Sequence, residues 1–282
     1  MSRRTGFTLV ELLMGLIIMG IVSLALTRVF LSQQRLTVTQ VEQASMQANV
    51  RTGTLILANE LREIGNNVTG GNDIKSFGPT SLTYRAMRSV ALACGVTAGG
   101  VRIRQTPIYG ARPITAGRDS MLLFVEHSVG TTSDDEWYKM PINGITVSTC
   151  LTADSAPAYR LATTGPPNPA DVRLDAPLRT FEVMEIGPVV QGGHNWLGAR
   201  SVSAGESLTP VAGPITLSGL AFSYLDENGN ATGNRSNIRS IRIVLRGQTD
   251  WSVRPGNGLT APSQPLLDSL VTIVTLRNQR LP

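Results

Sequence analysis

One carboxylate interrupts an otherwise uncharged, strongly apolar stretch near the start of the chain. Between Phe7 and Thr27, Glu11 is the only charged residue. A helix of this length rises ~1.5 Å per residue and reaches about 30 Å, which matches the hydrocarbon core of a bilayer. A charge at mid-bilayer costs roughly 2.5–3.5 kcal/mol on insertion scales. Because the next basic residue is Arg28, Glu11 needs a cation from elsewhere, and the chemistry it offers is an ion pair in apolar surroundings.

A cut between Gly6 and Phe7 would supply that cation. The new α-amino group would lie one helical turn from Glu11 and carry a positive charge at neutral pH. The carboxylate would also lie in the first turn of the mature helix, where the helix dipole favours negative charge. The pair can form within one subunit or between two. A pair between subunits would fix the stagger of neighbouring chains in a helical array.

The segment around this pair must enter a membrane in a defined direction. Arg3 and Arg4 precede the apolar stretch without any acidic residue, so the short end is expected in the cytoplasm and the long remainder outside it. Two other interpretations stay open: a simple uncleaved anchor, and a secretory signal peptide cut after Ser23-Leu24-Ala25. Against the signal peptide, Glu11 interrupts the apolar stretch and the helical pattern continues beyond Ala25.

The residues RRTGFTLVELL, followed by an apolar helix, resemble the class III signal of type IV pilins and type II secretion pseudopilins. The resemblance implies that a prepilin peptidase cuts after Gly6 and N-methylates the new terminus, Phe7. It also implies that Glu11 guides assembly. Gly6 suits a protease that needs close access to the backbone, since it has no side chain. Many major pilins carry a proline where this chain has Arg28. Because that proline is absent here, the resemblance does not by itself imply a kink or a melted turn at this position.

Beyond Arg28 the helical pattern becomes amphipathic. Apolar residues recur at spacings of three and four, which places them on one face of a helix. We therefore predict one helix from about Phe7 to Asn66, ended by Gly65 and the following asparagines, whose second half docks on a domain. A coiled-coil partner for the same face is the alternative. The residues of this face are Met46, Val50, Thr54, Leu57, Leu61, Ile64 and Val68.

The rest of the chain alternates short apolar runs with Gly/Pro-rich turns, a pattern typical of antiparallel strands. The segment Asp226–Asn230 is predicted to be a turn between two of them. The predicted strands are Met121–Glu126, Ile145–Cys150, Phe181–Ile186, Ile215–Leu225, Ile238–Arg246 and Leu270–Leu276.

The carboxy-terminal part, with GLAFSYLDENGN, SIRIVLRG and LVTIVTLRN, resembles PilW-type minor pilins and more distantly GspJ-type pseudopilins. The resemblance implies an α+β fold in which a long N-terminal helix packs on an antiparallel β-sheet. The expected organisation is a leader peptide at 1–6, a membrane or filament-core half-helix at 7–27, an amphipathic half-helix at 28–66 and a β-rich globular domain at 67–282.

The two cysteines, Cys94 and Cys150, belong to no CxxC or Cys/His cluster, so no metal site is predicted from them. In an exported domain they are disulfide candidates. Their separation in the sequence does not establish that they lie close together, and two small buried hydrophobic residues are the alternative.

No catalytic or cofactor site emerges from the sequence. His127 and His194 are the only histidines, and neither lies in a nucleophile-elbow or zinc motif. The turn at Asp226 starts like a calcium loop, but Ala231 and Asn237 replace the expected glycine and glutamate. The net charge of +5 comes from residues spread along the chain, without a basic arm, so nucleic-acid binding is not predicted.

These features together predict a structural assembly protein, a minor pilin held in the inner membrane and later built into a type IV pilus at the cell surface. Its expected partners are the prepilin peptidase, other minor pilins, the major pilin and a tip adhesin. The closest alternative is a type II secretion pseudopilin. Alternatives of other classes are a membrane-anchored periplasmic enzyme or binding protein, which would need a convergent polar pocket, and a DNA-capturing protein with salt-dependent affinity.

The first prediction concerns processing. A bulky residue in place of Gly6, as in Gly6→Leu, is expected to block cleavage, and Gly6→Ala to slow it, because the peptidase needs bare backbone at this point. Mass spectrometry of the N-terminal peptide measures the outcome, with the unaltered chain starting at Phe7 as reference. A mature chain that starts at Leu26 would instead show that the segment is an ordinary secretory signal.

Overall fold

This computed structural model describes residues 8–66, 72–110, 112–128, 130–253, 263–276 and 278–279. The predictions for Gly6, Phe7 and Val68 lie outside the described residues. Within them, one long N-terminal helix packs on a large antiparallel β-sheet, which confirms the predicted α+β fold class.

The helix, α1, spans Leu9–Arg62 and continues without interruption through Arg28. The helix therefore has neither a break nor a melted turn at Arg28, where many major pilins carry a proline. Its C-terminal end was predicted near Asn66, and this was wrong. The chain leaves the helix at Glu63, and Gly65–Asn66 instead form a short strand that pairs with Asn278–Gln279.

Fifteen strands follow α1 in the described part of the chain. They are β1 Gly65–Asn66, β2 Ile74–Phe77, β3 Leu82–Thr97, β4 Gly100–Arg104, β5 Tyr109–Gly110, β6 Ser120–Val125, β7 Glu136–Pro141, β8 Gly144–Thr149, β9 Pro157–Ala162, β10 Ala176–Gln191, β11 His194–Ser201, β12 Thr209–Leu225, β13 Ser240–Gln248, β14 Leu267–Thr275 and β15 Asn278–Gln279.

In the described part of the chain, thirteen strands form one sheet with the main order β14-β13-β12-β11-β10-β3-β4-β9-β8. Strands β2 and β5 pair with β3, and β6 joins β10 to β7. All pairings in this sheet are antiparallel, whereas β1 and β15 form a separate parallel pair. Because antiparallel neighbours need only short connections, most adjacent strands are also consecutive in the chain.

Each of the six predicted strands overlaps an observed one, and the turn at Asp226–Asn230 is confirmed between β12 and β13. The prediction missed the short strands β1, β2, β5 and β15 and the longer strands β3, β4, β7, β9 and β11. In β3 the buried residues do not alternate, since Tyr84, Arg85 and Ala86 are all buried in succession. A period-two pattern appears only where one face of a strand meets solvent.

Two hydrophobic cores occupy the two halves of the sheet. The first lies beneath α1, and helix residues from Met46 to Leu61 contribute to it together with β11–β14. The second lies beyond the helix, among the ends of β3 and β10 and the strands β4, β6, β7 and β9. Because β3 and β10 run through both cores, they hold the two halves of the domain together.

The helix comes unusually close to the sheet at two glycines. A Cβ atom on Gly53 would lie 2.9 Å from Ala212 Cβ, and one on Gly247 of β13 would overlap Val50 Cγ2. Removing a side chain on each surface lets the backbones approach. The buried helix face runs through Met46, Val50, Thr54, Leu57 and Leu61, as the 3.6-residue pattern predicted.

Cys94 of β3 and Cys150, just after β8, form a disulfide with an S–S distance of 2.02 Å and a Cα–Cα distance of 5.2 Å. Both side chains are buried and pack against Ala158. The bridge joins an inner strand to the strand at the sheet edge, so it ties the second half of the domain to the strand that spans both cores.

We predict that the docked face of α1 carries much of the stability of the first core. Leu57 is 1% exposed whereas Leu55, two residues away on the same helix, is 57% exposed. Leu57→Ala is expected to lower the free energy of unfolding by about 2–5 kcal/mol because it leaves a cavity, and Leu55→Ala by less than about 0.5 kcal/mol. Urea unfolding of the detergent-solubilised chain measures both. Equal losses in the two variants would show that the helix does not dock through this face.

Candidate functional site

Glu11 lies in the first turn of α1 and forms a capping box with Thr8. The Thr8 side-chain oxygen accepts a hydrogen bond from the Glu11 backbone N–H at 3.3 Å. In return, Glu11 Oε2 accepts one from the Thr8 backbone N–H, also at 3.3 Å. This arrangement satisfies two of the N–H groups that a helix start leaves without partners. It also directs the carboxylate toward the N-terminal end of its own helix.

The helix surface around Glu11 has no cover from the rest of the described chain. Every residue from Thr8 to Val38 is exposed. An apolar window in α1 has a mean hydropathy of 2.5 with none of it buried, so this helix is long and apolar enough to cross a membrane. A soluble domain does not leave so large an apolar surface in water. The first half of α1 therefore requires a lipid bilayer or other apolar helices around it.

The second half of α1 is joined to the sheet by a partly buried ion-pair network. Glu60 on the helix pairs with Arg88 of β3 at 3.1 Å. Arg88 Nε in turn contacts Glu182 of β10 at 2.6 Å. Arg118 Nε also donates to Glu182, at 2.6 Å, and the Ser201 hydroxyl donates to it at 2.8 Å. The network thus connects α1 to β3, β10 and β11 through one carboxylate.

Glu182 is the centre of this network, and its side chain is only 2% exposed. Burial alone would raise the pKa of its carboxyl group. The hydrogen bonds from Arg118, Ser201 and Arg88 outweigh burial and lower the pKa from 4.5 to about 2. Arg112 lies 3.3 Å from the same carboxylate and also pairs with the fully buried Asp119 at 2.5 Å. The carboxylate stays ionised because several arginines surround it.

A second buried pair holds the exit of the helix. Asp73 accepts a hydrogen bond from the Gly65 backbone N–H at 2.7 Å and lies 3.5 Å from Arg85. Burial raises the pKa of Asp73, while the Gly65 hydrogen bond and Arg85 act in the opposite direction. Arg85 also lies over the Phe181 ring, 5.0 Å from its centre. The chain is therefore fixed both where α1 docks and where it ends.

The two histidines and the turn at Asp226, which the sequence analysis considered as possible sites, do not come together in the structure. His127 lies 3.5 Å from Glu136 and 3.3 Å from Asp171, and His194 lies 3.6 Å from Asp250. At the turn, Asp226 Oδ1 accepts hydrogen bonds from the backbone N–H groups two and four residues on. Across the residues that the structure describes, no three His, Cys, Asp or Glu side chains are placed to hold a metal ion.

The sequence reasoning found Glu11 but missed Thr8 and the network around Glu182. The signal for Thr8 was present, since T-x-x-E before an apolar helix is a capping-box pattern. The residues Glu60, Arg88, Glu182 and Arg118 are far apart in the sequence. Only the pairing of β3 with β10 brings two of them together.

Comparison with known proteins identifies the prokaryotic N-terminal methylation motif at residues 1–27. No curated protein and no solved structure matches this chain. The motif supports a pilin-like protein, either a type IV pilin or a pseudopilin, and it implies processing by a prepilin peptidase and assembly with other pilins. Together with the apolar half of α1, it fits a single-pass membrane anchor that carries a globular domain.

The Glu182 network generates a prediction on pH. Its carboxyl pKa is lower in the folded chain than in the unfolded one, so the network stabilises the fold above pH ~4.5 and loses this effect as pH falls toward 2. A shift of this size corresponds to about 3 kcal/mol. Glu182→Gln is expected to lower the free energy of unfolding by about that amount at pH 7 and to flatten its decline between pH 5 and 2.

Urea unfolding of the detergent-solubilised chain at several pH values measures this effect. Glu227→Gln is the matched control, because Glu227 lies exposed in the turn after β12. A Glu182→Gln chain whose stability still falls with acid as steeply as the wild type would contradict the prediction.

Proposed function

We propose that this chain is a PilW-like minor pilin of a type IV pilus, cut after Gly6, N-methylated at Phe7 and assembled with other minor pilins at or near the filament tip. The observation that carries the proposal is the methylation motif at residues 1–27, which runs directly into an apolar half-helix with no cover from its own domain. The division into a leader at 1–6, a core half-helix at 7–27, an amphipathic half-helix from 28 to the end of α1 at Arg62, and a β-rich domain after the helix is part of this proposal.

Glu11 is the residue on which assembly depends in this proposal. In a bundle of such helices the dielectric is low, so an unpaired α-amine or an unpaired carboxylate is costly. Glu11 of an incoming chain can neutralise the Phe7 amine of a neighbour already in the bundle. Because this pair is the one charged contact in an apolar array, it sets how far one helix is shifted along the next.

The β-sheet half of the chain gives the pilin interpretation further support. The segments that resemble PilW-type proteins form β12, β13 and β14, three consecutive neighbours in the sheet. They are also the strands on which α1 mainly packs. The resemblance therefore covers the part of the domain beneath the helix. A GspJ-type pseudopilin is the second candidate, but such proteins are usually shorter than this chain.

The proposed structural role assigns no enzymatic activity or cofactor to the chain. Its proposed partners are the prepilin peptidase, other minor pilins, the major pilin and a tip adhesin. It would be held in the inner membrane with its domain in the periplasm before assembly and then lie in the pilus at the cell surface. The enzyme and DNA-binding alternatives would each require a site built from side chains other than Glu11.

We predict that Glu11→Ala leaves membrane insertion and cleavage at Gly6 intact but strongly reduces incorporation into filaments. Removing the charge eases insertion by a few kcal/mol, while the neighbour's amine loses its partner only in the assembled state. Glu11→Asp, which is one methylene shorter, should have an intermediate effect. The measurement is the fraction of processed chain recovered with sheared surface filaments, relative to the total in membranes.

Glu42→Gln is the matched control, because it removes a carboxylate from the docked half of the same helix. Wild-type recovery of processed Glu11→Ala would contradict the charge-pairing role. Absence of the wild-type chain from sheared filaments, together with loss of protein export when the chain is deleted, would favour the pseudopilin.

A further inference from the structure

A hairpin arm extends from the sheet along α1 toward the apolar half-helix. We define the arm by its described residues, Thr249–Val253 and Gln264–Leu266, which connect to β13 and β14. The Thr249 N–H donates to the Leu266 carbonyl at 3.0 Å. Val253 and Gln264 exchange two backbone hydrogen bonds, both 3.0 Å. These bonds make the arm an ordered extension of the sheet.

The arm and the helix lie on either side of an open, shallow cleft of about 460 Å³. Leu31, Arg35 and Val38 line it from the helix, and Ser252 and Val253 line it from the arm. Leu31, Val38 and Val253 make part of its surface apolar, and the exposed side chain of Arg35 places a positive charge beside them.

Next to the cleft, the arm presents a large aromatic side chain to the outside. Trp251 is 70% exposed, although the adjoining Val253 is buried. The Trp251 carbonyl accepts a hydrogen bond from the Thr249 hydroxyl at 2.8 Å, which fixes the backbone at this point. An exposed tryptophan is costly in water, but an indole ring is favoured where a membrane meets water.

The cleft begins where the membrane-crossing part of the helix ends. Beyond Arg28, the apolar surface continues through Val29, Phe30 and Leu31, which are 55%, 59% and 46% exposed. A helix from Leu9 to Leu31 is about 34 Å long at ~1.5 Å per residue, slightly more than a ~30 Å hydrocarbon core, and a modest tilt accommodates the difference. Arg28 can extend its charge to the lipid phosphates. Leu31 then lies at the hydrocarbon boundary.

From this placement we propose that the cleft receives a phospholipid of the leaflet that faces the globular domain. Trp251 lies at the headgroup level, and Arg35 pairs with the lipid phosphate. The headgroup layer extends about 5–7 Å beyond the hydrocarbon. The end of the cleft nearest the membrane, at Leu31, therefore lies where the hydrocarbon meets this layer. The contact holds the domain against the membrane, and it is lost when α1 leaves the bilayer. It depends on membrane anchoring alone and is independent of which filament the chain serves.

Depth-dependent fluorescence quenching tests the lipid contact. The chain has three tryptophans. Trp137 packs on Phe124, and Trp196 donates a hydrogen bond to the Gln191 carbonyl, so both are held in the sheet. Full-length protein in phosphatidylethanolamine–phosphatidylglycerol vesicles is expected to lose up to about a third of its emission when the acyl chains carry bromine near the headgroup. Bromine near the bilayer centre should quench less.

Trp251→Phe should abolish this quenching, and because Trp251 is exposed, the substitution leaves the cores untouched. Arg35→Glu should weaken the quenching, whereas Arg51→Glu, at an exposed position sixteen residues further along α1, should not. Three results would each overturn the proposal. They are no quenching in the unaltered chain, quenching that persists in Trp251→Phe, and equal effects of the two arginine substitutions.

Discussion

The architecture of this chain depends on one constraint: a single continuous helix has to meet two different surroundings. Its N-terminal part, from Leu9 to Phe30, is exposed on every side and has no protein cover in the described chain. Its second half buries one face against three strands of its own domain. Since an α-helix satisfies its own backbone groups, it is the element that can pass from lipid or filament core into water without a break. The sheet holds the second half in place.

Two kinds of contact provide that hold, and they act at different positions along the helix. Near its middle, Gly53 and Gly247 let the helix and sheet backbones approach, so the contact there is van der Waals packing. Near its end, Glu60 joins the network around Glu182 and the chain exit is tied through Asp73. Close packing at the glycines sets how near the helix lies to the sheet, and the charged hydrogen bonds add contacts of defined direction.

The sequence was most informative where one side of an element faces solvent or lipid. The docked face from Met46 to Leu61 followed the helical period, and β13 alternated between buried and exposed side chains. Strand β3 was missed because both of its faces are buried over much of its length. The ion-pair network could not be predicted, because Arg88 and Glu182 meet only through the register of β3 on β10. The pairing of Cys94 with Cys150 likewise depends on which strands are neighbours.

The hydrogen bonds of Glu11 in the isolated chain are compatible with the pairing proposed for the assembly. In the isolated chain, both of its hydrogen bonds from Thr8 end on Oε2. Among the described residues Oε1 has no partner, and a carboxylate has room for further donors on each oxygen. A neighbour's α-amine can therefore bind Oε1 without displacing the helix cap. Because the cap bonds are long and exposed, they orient the side chain and add little stability. In the proposed assembly, the pair with a neighbour's α-amine would therefore supply the free energy that offsets the cost of Glu11 in the membrane.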